Sequence, residues 1–152
     1  FVEQLADKFG IRLIFDKKFH GQVGRGTIHN QEVRLLLPET FMNRSGQSVA
    51  PFTKFYGIHP ESILIAHDEL DIPVGSIKLK TGGGNGGHNF HRLRIGIGRP
   101  MHSSQVSGHV LSKPSTDDRI SITAAIDCAV ASIHEIILGD MERARNQINC
   151  FR

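Results

Sequence analysis

The chain has 152 residues, 39% of them hydrophobic and 22% charged, with a formal net charge of +3. That length suits one domain able to bury about two-thirds of its unfolded surface in one core, and no apolar run approaches the roughly 18 residues of a membrane helix. The mild basic bias is compatible with a nucleic-acid partner without identifying one. The two cysteines, Cys128 and Cys150, lack metal-ligand spacing and read as free buried thiols in a reducing cytoplasm.

Phe1, Leu5 and Phe9 recur at helical spacing and Gly10 suits a left-handed cap, which predicts a helix that ends there. No Ser, Thr, Asp or Asn cap precedes Phe1, so the expectation is an element that begins further upstream. Residues 19–28 and 32–37 flank His29-Asn30-Gln31 and predict a hairpin, with Leu35-Leu36-Leu37 in a buried position and His20 a structural residue of the first strand. Val49, Phe52, Phe55 and Tyr56 then follow a helical pattern that Gly57 ends. Pro51 lies inside it, so either Ser48 is the cap or a helix begun near Ser45 kinks at the proline. Ile63-Leu64-Ile65-Ala66 predicts a short strand that presents Asp68 at its carboxyl end, where open α/β sheets place functional groups.

Most of the visible chemistry lies between His67 and Asn89. An acidic cluster, His67-Asp68-Glu69-Leu70-Asp71, precedes the strand-like Ser76-Ile77-Lys78-Leu79-Lys80 and the run Thr81-Gly82-Gly83-Gly84-Asn85-Gly86-Gly87-His88-Asn89. Glycines crowded around Asn85 free the backbone to approach a ligand. An NTPase phosphate loop would end in Gly-Lys-Ser/Thr, whereas this run ends in Gly-His-Asn, which argues against ATP or GTP. Residues 91–98 alternate polar and apolar and predict a strand with Arg92 and Arg94 on one face. After a polar, irregular stretch at 103–112, Ser115-Thr116-Asp117-Asp118 resembles a capping box. It opens a helix with Ile122, Ile126, Ala129, Ile133 and Ile137 as its stripe and Gly139 at its end. Asp140 caps a last helix whose Met141, Ala144, Ile148 and Phe151 face inward. The expected fold class is α/β, a single domain with a mixed β-sheet flanked by helices, mixed because the first hairpin is antiparallel.

Four segments taken together resemble the bacterial-type peptidyl-tRNA hydrolases: Leu37-Pro38-Glu39-Thr40-Phe41-Met42-Asn43, Ala66-His67-Asp68-Glu69-Leu70-Asp71, residues 80–89, and Phe90-His91-Arg92-Leu93-Arg94-Ile95-Gly96-Ile97-Gly98. The resemblance implies a phosphorylase/hydrolase-like α/β domain over residues 1–152, a cytoplasmic monomer without metal, cofactor or membrane contact. Such a domain hydrolyses the ester joining a peptide to the 3′ end of tRNA. It further implies that Asn43 and Asn89 are crevice amides, Met42 an apolar wall, Gly86 part of the substrate site, Asp68 the carboxylate behind the catalytic histidine, and His88 a crevice histidine. Lys80 and Arg94 match the pair that clamps the tRNA 5′ phosphate. The family pattern also includes an N-terminal strand with a Gly-Asn-Pro-Gly turn and a Thr-Arg-His-Asn motif bearing the general base. A helix normally lies between the motifs that here end at Asn89 and begin at Phe90. None of these segments occurs in the sequence, so the expectation is that Asn89 and Phe90 are not covalent neighbours in the functional protein and that the base lies outside these residues. His67 is no substitute, because strand neighbours point to opposite faces and Asp68 takes the site-facing position.

Two other readings compete. One is a non-catalytic relative of the same fold that binds RNA or a protein. The other is a metallohydrolase built on His67, Asp68, Asp71, His88 and His91.

Overall fold

The computed structural model describes residues 1–40, 44–82, 90–99 and 113–151. Met42, Asn43, Gly86, His88 and Asn89, the Asn89–Phe90 junction and the stretch 103–112 lie outside the described residues. The chain falls into two compact units, Phe1–Ile63 and Leu64–Arg152.

In the first unit, α1 (Val2–Phe9) ends at Gly10, whose φ of 65° is the left-handed cap that its sequence predicts. Three antiparallel strands follow in the order β1 (Ile14–Asp16), β2 (Gly21–Ile28) and β3 (Gln31–Pro38). The β2–β3 hairpin turns on two residues, His29 and Asn30, both at positive φ, rather than on the expected three. His20 is not in a strand. It takes a φ of 52° at the end of a short 3-10 helix, Lys17–Phe19, one residue ahead of β2. The next helix, α2 (Gly46–Phe55), starts after Ser45, which resolves the Pro51 question. The proline occupies the second turn, while Ser48 is a buried helical residue and not a cap. Phe52 packs edge-on against the fully buried Phe19 at 5.2 Å, which joins α2 to the 3-10 turn.

The second unit is built on a three-stranded sheet in the order β4 (Leu64–Glu69), β6 (His91–Gly96), β5 (Ile77–Thr81). β6 is parallel to β4 and antiparallel to β5. The sheet is therefore mixed, as expected, but β5 makes it so, because the first hairpin forms a separate sheet. Registers align Asp68, Ile95 and Ile77 in one row and Ala66, Leu93 and Leu79 in the next, so one face is mainly apolar. Leu93 and Ile77 are fully buried there. Gly96 is required by close approach, since a Cβ on it would fall within van der Waals contact of the Pro73 carbonyl oxygen and the Ile72 side chain.

The long helix expected up to Gly139 is two, α3 (Thr116–Ala131) and α4 (Ile133–Leu138). The break falls at Ser132, whose hydroxyl donates back to the Cys128 carbonyl at 3.2 Å and competes with the helical ladder. The Ser115 hydroxyl accepts from Asp118 N–H and caps α3, and Asp140 caps α5 (Met141–Asn149) by accepting from Arg143 N–H. Burial pushes the Cys128 thiol's pKa upward, whereas Cys150 is exposed, contrary to the expectation of two buried thiols.

β5 is an edge strand, and α5 covers it. Leu79 N–H donates to Asn149 Oδ1 at 2.7 Å, and Asn149 Nδ2 lies 3.5 Å from the Leu79 carbonyl, so a side-chain amide stands where another strand would pair. Lys78 Nζ donates to the Asn149 carbonyl at 2.9 Å, a cation on the negative end of α5. Asn149→Ala should therefore lower the unfolding free energy by about 1–2 kcal/mol. A shifted urea midpoint at constant slope would show it, and a midpoint equal to wild type would mean that water replaces the amide without loss.

Candidate functional site

The second face of the β4–β6–β5 sheet carries the charge. Because residues opposite each other in register share a face, His67, Arg94 and Lys78 form one row and Ile65, Arg92 and Lys80 the adjacent one. Four cations thus gather on two strands, β5 and β6, with Glu69 the one carboxylate that β4 adds to that face. Arg94 donates through Nε at 2.8 Å and Nη2 at 2.6 Å to the same Glu69 oxygen. Both side chains are largely covered, with 26% and 20% of their surface exposed, so the pair is worth more than a solvated one. The Arg94 guanidinium bonded to it holds the Glu69 carboxyl below its ordinary range, against the opposing effect of burial.

Of the expected phosphate pair, Lys80 is exposed and makes no hydrogen bond or ion pair among the described residues, whereas Arg94 is committed to Glu69. Arg92 lies directly opposite Lys80 with a buried Nε that has no hydrogen-bond partner. The expectation treated Arg94 as a free clamp residue, and Glu69 was not recognised as its partner. That pairing depends on a parallel register between segments some 25 residues apart.

Asp68 occupies the other face, one residue before the end of β4, and is exposed. His67 turns away from it, with Nδ1 at 2.9 Å from the Asp68 carbonyl and a buried Nε2 that has no hydrogen-bond partner. At the mouth of the glycine-rich stretch, Gly82 N–H donates to the Phe90 carbonyl at 3.1 Å. The Thr81 hydroxyl and His91 Nδ1 are 2.8 Å apart, and Arg145 of α5 donates to that hydroxyl at 3.0 Å. Sequence reasoning missed this Arg145–Thr81–His91 chain, because it joins a helix and two strands that no local pattern brings together. Among the described residues no three His, Cys, Asp or Glu side chains converge in a metal-like cluster.

The fold is α/β, with a strand-end carboxylate on one sheet face and basic side chains on the other. The family model for peptidyl-tRNA hydrolase matches residues 1–152, and the chain belongs to that family. The peptidyl-tRNA hydrolase of Psychrobacter arcticus is 57% identical over 164 positions, covering the whole chain and 85% of the relative. That of Acinetobacter baumannii strain AYE is 56% identical over the same span. A crystal structure of peptidyl-tRNA hydrolase from Acinetobacter baumannii superposes with a TM-score of 0.94 at 55% identity, over 99% of this chain and 83% of that one.

The Glu69 carboxyl sits below its ordinary value of 4.5 in the folded state, so its contribution is complete above that pH and is lost as pH falls through the folded value. Glu69→Gln should lower stability by about 1–2 kcal/mol at neutral pH. The gap to wild type should close in acid. Urea unfolding at several pH values checks this, and a gap independent of pH would show that the pair contributes through packing instead of charge.

Proposed function

We propose that the chain hydrolyses the ester between peptide and tRNA in peptidyl-tRNA, freeing tRNA from aborted translation, as a cytoplasmic monomer without metal. The observation that carries the reading is a family match over residues 1–152 with 57% identity to a named hydrolase. Asn43 and Asn89 are assigned as amide donors to the oxyanion that forms when water attacks the ester, a role in which one donor is worth roughly 10² to 10³ in rate. Asp68 is assigned to fix the tautomer of the general base and stabilise its protonated form. His88 is assigned to the same crevice, Met42 to its apolar wall and Gly86 to substrate binding. Lys80 and Arg94 are assigned to the 5′ phosphate. Their place in adjacent rows of one basic sheet face, with Lys80 exposed, supports that role, and a tRNA end, whose 3′ ester lies several unpaired nucleotides beyond its 5′ phosphate, can reach both faces of one sheet.

The relatives' matched region runs to 164 positions against 152 residues here. The relatives thus carry internal residues for which this sequence has none, and we assign them to a segment between Asn89 and Phe90 in the functional protein, on the motif order alone. In that protein, Asn43→Ala and Asn89→Ala should each lower turnover of peptidyl-tRNA by about one to three orders of magnitude with the fold intact. Asp68→Asn should instead change the pH–rate profile, because an amide cannot stabilise an imidazolium. Near wild-type turnover in either asparagine variant, or an unchanged profile in the third, would remove that residue from the mechanism.

A further inference from the structure

The first unit has a groove of its own. It is a shallow, open depression of about 570 Å³, lined in part by Arg12, Phe15, Lys17, Arg25, Arg34 and Tyr56. Phe15 and its neighbour Ile14 are each 55% exposed on the edge strand β1, an unusual place for large apolar side chains to meet water. The Phe15 ring has no ring or cation contact among the described residues, in contrast with Phe55 and Tyr56, which lie under Lys18 at 4.1 Å and Arg34 at 3.7 Å.

The charge of the groove is one-sided. Arg25 and Arg34 share a single carboxylate, Glu32, at 3.1 and 3.2 Å. Asp16, the acidic residue among those lining the groove, is engaged as the cap of the 3-10 turn, accepting from Lys18 N–H at 2.9 Å. Arg12 and Lys17 have no ion pair among the described residues. A bare aromatic face beside unpaired cations matches the chemistry of single-stranded nucleic acid, in which bases stack on aromatic rings and phosphates meet Lys and Arg. An apolar peptide would cover Phe15 and Ile14 but strip water from Arg12 and Lys17 without neutralising them. An acidic peptide would satisfy the cations and gain nothing from the ring.

We infer that this groove is a second RNA-contact site, which takes an unpaired nucleotide with its base stacked on Phe15 and its flanking phosphates on Arg12 and Lys17. The inference extends the tRNA reading to another surface of the protein. Its readout is binding, so it stands or falls separately from hydrolysis. The test is fluorescence anisotropy of the whole protein with a short labelled oligouridylate. Phe15→Ala should weaken binding by about 5- to 150-fold, as expected for loss of one stacked base, and Phe15→Tyr should restore it. The double variant Arg12→Gln, Lys17→Gln should flatten the log–log salt dependence by about 0.7 per lost phosphate contact. All three positions are exposed, and thermal melting of each variant checks that the fold is retained. Unchanged affinity in Phe15→Ala overturns the proposal, as does an unchanged salt slope in the double variant. Displacement of the RNA by polyglutamate at equal charge, with Phe15→Ala as sensitive to it as wild type, would identify a docking surface for acidic protein segments and would equally overturn it.

Discussion

Strand β6 is hydrogen-bonded on both sides, parallel to β4 and antiparallel to β5, and the organisation of the second unit depends on those two registers. A shift of one residue in either would move Leu93 and Ile95 out of the apolar face and bring Arg92 and Arg94 into it. Burial of Leu93, Ile77 and Leu79 therefore holds the basic side chains in place on the far face. The same alternation puts Asp68 and Lys80 on opposite faces, so a substrate engaging both has to pass around the sheet rather than lie across one side of it.

Under the proposed function, that arrangement gives Arg94 two demands on one guanidinium. In the structure both of its donating nitrogens go to Glu69, a largely covered pair that contributes to stability. If Arg94 also holds a phosphate, the phosphate must compete with or share the carboxylate, and the affinity seen is the difference between two charge-assisted interactions. Lys80, without a partner among the described residues, faces no such competition. The two members of the proposed clamp are thus unequal, one available from the start and one released from an existing bond.

Local features of the fold were legible where a single residue dictates the backbone. Gly10 takes the left-handed cap that its spacing predicts, Gly139 ends a helix as expected, and Ser115 and Asp140 form their helix caps. β1 escaped notice because Ile14 and Phe15 are both exposed, so it has no alternation to read. The split at Ser132 depends on a hydroxyl bonding its own helix, and serine occurs in unbroken helices as well. Strand order was out of reach, since placing β6 between β4 and β5 takes pairings that no local pattern encodes. For the same reason Glu69 was not visible as the partner of Arg94. Motif resemblance went further than periodicity: it assigned roles to Asp68, Lys80 and Arg94 and to Asn43 and Asn89, the last two outside the described residues.

The claim that the basic row holds a tRNA phosphate, with Arg94 shared between it and Glu69, is tested most directly by the affinity of Glu69→Gln for tRNA with and without its 5′ phosphate. Removing the carboxylate frees Arg94 and takes away a competing anion. The account predicts tighter binding of the phosphorylated tRNA than in wild type, with the gain abolished once the 5′ phosphate is removed. Equal or weaker binding, indifferent to the phosphate, would contradict it and leave Arg94 as a structural partner of Glu69 alone.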